Sequence, residues 1–246
     1  MTRVELDAKK FSDDGVLPLR GFLPRKLVAA VQSSILSELT RLKIKVNGKI
    51  AASKIQDLPV FQQTVRLGQM IKMGDEVDRL FPEELLVAMN SLAGSPLAAS
   101  PHPQILLSLP HKEAWSLNHS NWHLDVAPPK TDQSPGVQAF VLIDDVQPQG
   151  GATLALAGSH KLHYVHREQN AHGILRQSSD FVSAPEKFFE PQVVHGARVR
   201  IVEMSGRAGD VYLMDLRVLH SPSINARKNI RMMATNRFLR LLQETG

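Results

Sequence analysis

Cysteine is absent from this chain, so neither disulfides nor thiolate metal sites are open to it. Tryptophan and tyrosine number only two each, which leaves little to stack on bases, and lysine and arginine are spread out rather than gathered in blocks. A formal charge of +5 therefore does not read as a nucleic-acid surface, and no nucleic-acid partner is expected. No apolar run approaches the roughly 18 to 20 residues that span a bilayer, so no membrane partner is expected either. The opening Met-Thr-Arg-Val-Glu-Leu-Asp is mixed and polar, unlike a basic-then-apolar leader. A glycine-rich phosphate loop is also missing. The compartment these absences point to is the cytosol.

What is present is a chain of 246 residues, 43% hydrophobic and 22% charged, enough to bury a sizeable core. No repeat or linker interrupts it, so residues 1–246 are expected to form one domain, helical to about residue 100 and a β-barrel from about 101 to 242. After a polar lead-in, residues 15–20 read as a short strand. Pro24 then stands where a first-turn proline belongs, and apolar residues recur at three- and four-residue steps from Leu27 to Leu42, an amphipathic helix. Residues 43–63 alternate around Asn47-Gly48 and predict a small hairpin, either an ordinary surface excursion or a lid over a pocket. A second helical region runs from about Gly74 to Leu92 and restarts at Pro82.

From Pro103 the character changes to strands. Residues 104–110 predict a first barrel strand and residues 127–136 a long exposed turn-rich loop. Residues 137–146, apolar almost throughout, predict a buried strand from which 152–157 runs back antiparallel. Residues 161–196 look like an insertion, and 193–202 like one strand with Arg198 and Arg200 on a polar face. Residues 209–219 and 230–239 are expected to pair.

Within this frame the chemistry collects at His123-Leu-Asp125. On a strand, residues i and i+2 share a face, so an imidazole and a carboxylate here can grip one ion. His220, at the end of a later apolar stretch, is the candidate third ligand. Two histidines and one carboxylate on one side of an ion leave its other positions open, which suits non-haem Fe(II) and dioxygen. Each residue alone has an ordinary reading: a satisfied core histidine, a turn aspartate before Val-Ala-Pro-Pro, a strand-end histidine before Ser-Pro-Ser. His119, four before His123, has zinc-like spacing only on a helix and is left outside the ligand set.

Four motifs follow one another along the chain: Phe11-Ser-Asp-Asp-Gly with the Gly-Phe-Leu-Pro that follows, Trp122-His-Leu-Asp, Gly150-Gly-Ala-Thr leading to Gly158-Ser-His, and Gly209-Asp210 leading to His220 with Arg231 eleven residues later. Taken together, they resemble the phytanoyl-CoA dioxygenase-like family. The resemblance implies an α+β, mainly β protein with a double-stranded β-helix (jelly-roll) core and N-terminal helices on one sheet. It also implies Fe(II) held by His123, Asp125 and His220, with 2-oxoglutarate as cosubstrate and dioxygen as oxidant. Succinate and carbon dioxide would be released as a small-molecule substrate is hydroxylated, although desaturation and ring formation use the same parts. Halogenating relatives replace the carboxylate by a small residue; here Asp125 retains it.

Arg231 is the residue whose place in the resembled family binds the distal carboxylate of 2-oxoglutarate, a task that a forked, permanently charged guanidinium suits. It would reach the iron if its strand neighboured that of His220. Arg237 shares its strand face and competes for the role, whereas Arg227 falls in a turn. Ser221 and Thr153 are further cosubstrate candidates; relatives often carry a hydroxyl two residues after the metal histidine, where this chain has Pro222. Basic residues flanking the motifs, Lys130, Lys161, Arg167, Arg198 and Arg200, point to an anionic substrate. The alternatives are a metal-binding barrel without 2-oxoglutarate and a non-catalytic binding module.

Overall fold

The computed structural model describes residues 6–118, 120–127, 133–162 and 171–241. The first described helix is α1 (Ala8–Asp14), about two turns long and capped by Asp7, whose carboxylate accepts the Lys10 N–H. A turn at Gly15 leads into β1 (Val16–Leu19), and Pro24 precedes α2 (Arg25–Arg41). The stripe predicted for α2 is its buried face, Val28, Val31, Ile35 and Leu39. Each such side chain stabilises the fold by roughly 1.5–3 kcal/mol on burial. The hairpin is β2 (Lys45–Val46) and β3 (Lys49–Ile50), joined by Asn47 and Gly48 at φ 49° and 76°, the two positive angles of a type I′ turn.

Residues 53–70 are helical, as α3 (Ser53–Gln56) and α4 (Val60–Met70), where the sequence predicted only an excursion. A single turn and Pro82 precede α5 (Glu83–Ala93). Strands β4 (Leu97–Ala99), β5 (Gln104–Ser108), β6 (Gly136–Leu142) and β7 (Leu154–Ala157) follow, then the short helices α6 (Ala171–Gln177) and α7 (Ser179–Ser183). The rest is β8 (Gln192–Val194), β9 (Ala197–Glu203), β10 (Val211–Asp215), β11 (His220–Ser221) and β12 (Arg231–Arg240).

The strands form two antiparallel sheets. The larger runs β1-β10-β6-β12, with β5 and β4 end to end along the outer edge of β12, and the smaller runs β11-β7-β9-β8. This bears out the jelly-roll expectation. Helices α2, α4 and α5 cover the outer face of the larger sheet, packing with Val137, Ala139, Val141, Leu213 and Ala234. The smaller sheet is covered by Trp122, Phe181 and Phe188 over Leu154, Leu156, Val199 and Ile201. Between the sheets lie Phe140, Leu142, Ala155, Ala157, Tyr212, Met214 and Met233. Alternation thus sends Gln138 on β6, and Arg231 and Thr235 on β12, inward.

Three strand expectations are corrected. Strand β7 does not return along β6, whose partners are β10 and β12; the segment between them crosses to the other sheet. Both strands are buried throughout, so no alternation marks which edge or sheet each joins. Residues 193–202 are two strands, folded at His195 and Gly196 with φ 46° and 80°. Residues 209–219 do not pair with β12, because β6 lies between β10 and β12 and the chain leaves the larger sheet after Asp215 to form β11 in the smaller.

Candidate metal centre

His123 forms an isolated antiparallel bridge to His220, extending the smaller sheet by one residue beyond β11. The His123 N–H donates to the His220 carbonyl at 2.9 Å and the His220 N–H to the His123 carbonyl at 3.1 Å. Residues that exchange both bonds stand directly opposite with side chains on one face, and the two imidazole centroids are 4.4 Å apart. Asp125, two residues on, reaches the same point. One ligand atom from each of the three lies within 4.8 Å of the other two. Asp125 Oδ1 is 3.6 Å from His123 Nε2, and Oδ2 is 3.6 Å from His220 Nε2.

Each ring is turned by its other nitrogen. His123 Nδ1 lies 2.7 Å from the Asn121 carbonyl and His220 Nδ1 3.3 Å from the Val218 carbonyl. A carbonyl only accepts, so Nδ1 donates in both rings, which turns each Nε2 toward Asp125 and the centre. Burial alone would raise the Asp125 carboxyl, but His220 beside it, the Gln138 amide and His123 together hold it well below the usual carboxylate range. Two imidazoles and a carboxylate converging from one side, with a cavity on the other, are a donor set that fits a divalent first-row metal ion.

That cavity, about 560 Å³, is lined by the three ligands together with Gln138, Phe140, Thr153, Pro222, Arg231 and Thr235. One wall comes from α4, through Phe61, Thr64 and Val65. The Phe61 ring meets His123 edge-on at 5.4 Å. Gln63 anchors this wall: its side chain accepts the buried Leu109 N–H at 2.7 Å and donates to the Ile55 and Gln56 carbonyls.

Arg231 is buried, donating from Nε to the Gly151 carbonyl at 2.7 Å and from Nη1 to the Leu106 carbonyl at 2.8 Å. No carboxylate among the described residues pairs with it, and burial pushes its pKa down to about 9. Arg231 and His220 lie on different sheets and meet across the cavity, which corrects the expectation of neighbouring strands. Arg237 does not line the cavity; it donates to the Asp125 carbonyl at 3.3 Å.

The remaining candidates divide. Thr153 lines the cavity and its hydroxyl bonds to no described residue. Ser221 follows His220 and so points to the opposite side of β11, where its hydroxyl donates to the Pro222 carbonyl; Ser223 donates to Ala152. Pro222 lines the cavity without a donor to offer. Arg198 is exposed and Arg200 pairs with Asp14 at 2.9 Å, both off the cavity. Lys161 pairs with Asp13. His119, Lys130 and Arg167 lie outside the described residues.

Sequence reasoning passed over Gln138, Thr235 and the α4 wall. Gln138 was signalled as the one polar residue in an apolar run, and α4 by Val60, Thr64, Leu67 and Ile71 at helical spacing.

Among solved structures, the chain superposes on SnoK, a non-haem alpha-ketoglutarate-dependent carbocyclase from nogalamycin biosynthesis, with a TM-score of 0.59 at 18% identity over 95% of this chain and 82% of that one. On the epimerase SnoN, solved with Fe3+, alpha ketoglutarate and nogalamycin RO, the values are 0.59, 17%, 97% and 90%. On EctD from S. alaskensis, solved with bound Fe, they are 0.54, 17%, 95% and 75%. At such identities the likeness is one of fold. No curated protein matches the chain by sequence. The family model for phytanoyl-CoA dioxygenase (PhyH) matches residues 11–233. With that match running from α1 into β12, the chain belongs to the phytanoyl-CoA dioxygenase (PhyH) family.

Proposed function

We propose that this protein is a cytosolic Fe(II)- and 2-oxoglutarate-dependent dioxygenase that hydroxylates a small molecule with release of succinate and carbon dioxide. The observation that carries the reading is Arg231. A buried guanidinium without a counter-charge is costly, and this one lines the same cavity as the three metal ligands. A small dicarboxylate answers both features, with one carboxylate on the guanidinium fork and its other end at the metal. Iron and 2-oxoglutarate, when bound, supply the activation of dioxygen. His123, Asp125 and His220 hold the ion from one side, Arg231 orients the cosubstrate, and Thr153 offers it a hydroxyl. Asp125 occupies the position that a halide would need, which favours hydroxylation.

Of the basic residues that suggested an anionic substrate, Arg198 and Arg200 stand off the cavity and Lys161 pairs with Asp13, whereas Lys130 and Arg167 lie outside the described residues. Apart from the ligands and Arg231, the titratable side chains among the described lining residues are Asp75, Asp78 and His102. With Arg231 taken by the cosubstrate, a neutral or cationic molecule with an apolar part against Phe61, Val65 and Phe140 fits best.

Anaerobic titration with Fe(II) and 2-oxoglutarate tests the reading. The visible charge-transfer band of the chelate should require both additions, and in Arg231→Ala it should appear only at far higher 2-oxoglutarate. Iron binding without the band would mean a metal-binding barrel that does not use 2-oxoglutarate. Loss of both would leave a non-catalytic module.

A further inference from the structure

Asp125 differs from its two partner ligands in how it is held. His123 and His220 are fixed by a backbone bridge within the smaller sheet, whereas Asp125 belongs to no strand. Its carboxylate is reached from the larger sheet instead: Gln138 Nε2 on β6 donates to Asp125 Oδ2 at 2.8 Å and to Thr235 Oγ1 on β12 at 3.1 Å. Thr235 Oγ1 has its own proton directed to the Ala139 carbonyl at 2.9 Å, so toward Gln138 it can only accept. An ionised carboxylate likewise only accepts. Two acceptors therefore determine which way the Gln138 amide points, since the flipped amide would set its carbonyl against both. The relay runs from the Ala139 backbone through Thr235 and Gln138 to one oxygen of Asp125, and all three relay residues are buried in the larger sheet.

We propose that Gln138 is a positioning residue that makes Asp125 a one-oxygen metal ligand: it engages Oδ2 by a short hydrogen bond and leaves Oδ1 for the ion, with Thr235 fixing the amide. This rests on the functional reading above. A carboxylate that swung to grip the ion through both oxygens would take one more coordination position and leave one fewer for a chelating cosubstrate and dioxygen. Gln138 reaches the Asp125 carboxylate from the larger sheet, whereas Arg237 on β12 reaches only the Asp125 backbone carbonyl. It is a polar side chain in the midst of β6, where every other residue is apolar or glycine, and the pairing with Asp125 accounts for it.

The test uses the intact protein and Co(II), whose visible absorption reports both affinity and coordination number without turnover. Gln138→Leu keeps the volume and removes the donor; it should weaken Co(II) binding by roughly ten- to a hundredfold, the usual effect of losing a partner behind a metal ligand. Its Co(II) spectrum should change, and addition of 2-oxoglutarate should perturb that spectrum less than in the parent. Thr235→Val should show the same changes in weaker form, and Thr235→Ser, which restores the hydroxyl, should reverse them. A merely structural role would lower the melting temperature and leave affinity and spectrum alone. Parent-like Co(II) affinity and spectrum in folded Gln138→Leu would overturn the proposal. If that variant does not fold, identical spectra for Thr235→Val and Thr235→Ser would do so. Failure of the parent protein to bind Co(II) or Fe(II) at all would instead strike the functional reading on which the proposal stands.

Discussion

The two sheets divide the work differently. The smaller sheet offers an open edge: β11 is two residues long, and the His123 bridge adds the metal ligands to it as a cross-strand pair. The larger sheet offers depth: β12 is ten residues long, flanked by β6 on one side and β4 and β5 on the other, and it presents Arg231 from within. An ion must be reached from outside and keep open positions, so its ligands suit an edge. A lone guanidinium must be prevented from swinging to solvent, and Arg231 is held by carbonyls of Gly151 and Leu106 in a buried wall. What the difference teaches is that neither sheet carries a complete site; the cavity between them does.

The comparison breaks most severely at the edge. His220→Ala or His123→Ala should abolish both iron binding and turnover, read as bound metal and as succinate formed. Full iron affinity in both variants would remove the smaller sheet from the account. Asp125→Gly should abolish hydroxylation while perturbing the fold less, and would open a position for chloride.

At depth, Arg231→Ala should raise the 2-oxoglutarate requirement by about a hundredfold to a few thousandfold. Losing one partner of a desolvated charge pair costs roughly 3–5 kcal/mol, and about 1.4 kcal/mol is a factor of ten. Arg231→Lys keeps the charge but not the fork and should fall between. Arg237→Ala, at a residue that bonds to the Asp125 backbone, should do much less. An equal effect at Arg237 would place the cosubstrate's carboxylate elsewhere.

Gly151 links the two halves, since its carbonyl accepts from Arg231 and its φ is 77°. A Cβ there would lie 2.8 Å from Asn225 Cβ and 2.9 Å from Ser108 Oγ. Gly151→Ala should therefore cost about 1–3 kcal/mol of stability and weaken 2-oxoglutarate binding with it. A lower melting temperature with unchanged 2-oxoglutarate affinity would show that Arg231 does not depend on this carbonyl.

The smallest effect is expected off the cavity. Arg198→Ala should change stability by no more than about 0.5 kcal/mol and leave succinate formation as it was, because the side chain is exposed on β9 away from the site. A marked loss of coupled turnover would bring the basic-rim reading of the substrate back.

Much of this was open to local reading. The helical stripe of α2 and the Asn47-Gly48 hairpin are short-range patterns, set by backbone periods and by turn angles that a few residues determine among themselves. The His123-x-Asp125 pair was legible as two ligand types one residue apart, but no strand period brings them together, since Asp125 lies outside any strand. The family motifs added His220 and Arg231 because their order along the chain is itself a sequence property. Which strands pair was decided only in three dimensions. Strands β6 and β7 are buried on both faces, so their composition carries no record of their neighbours, and β10 and β12 turned out to be separated by β6. For the same reason the sequence could name Arg231 but not its route to the metal, which runs across the cavity between sheets and not along a shared strand. Gln138 and the α4 wall stayed hidden because a polar residue in an apolar strand acquires its meaning from what faces it, and Asp125, Thr235 and the cavity face Gln138 only once both sheets have closed.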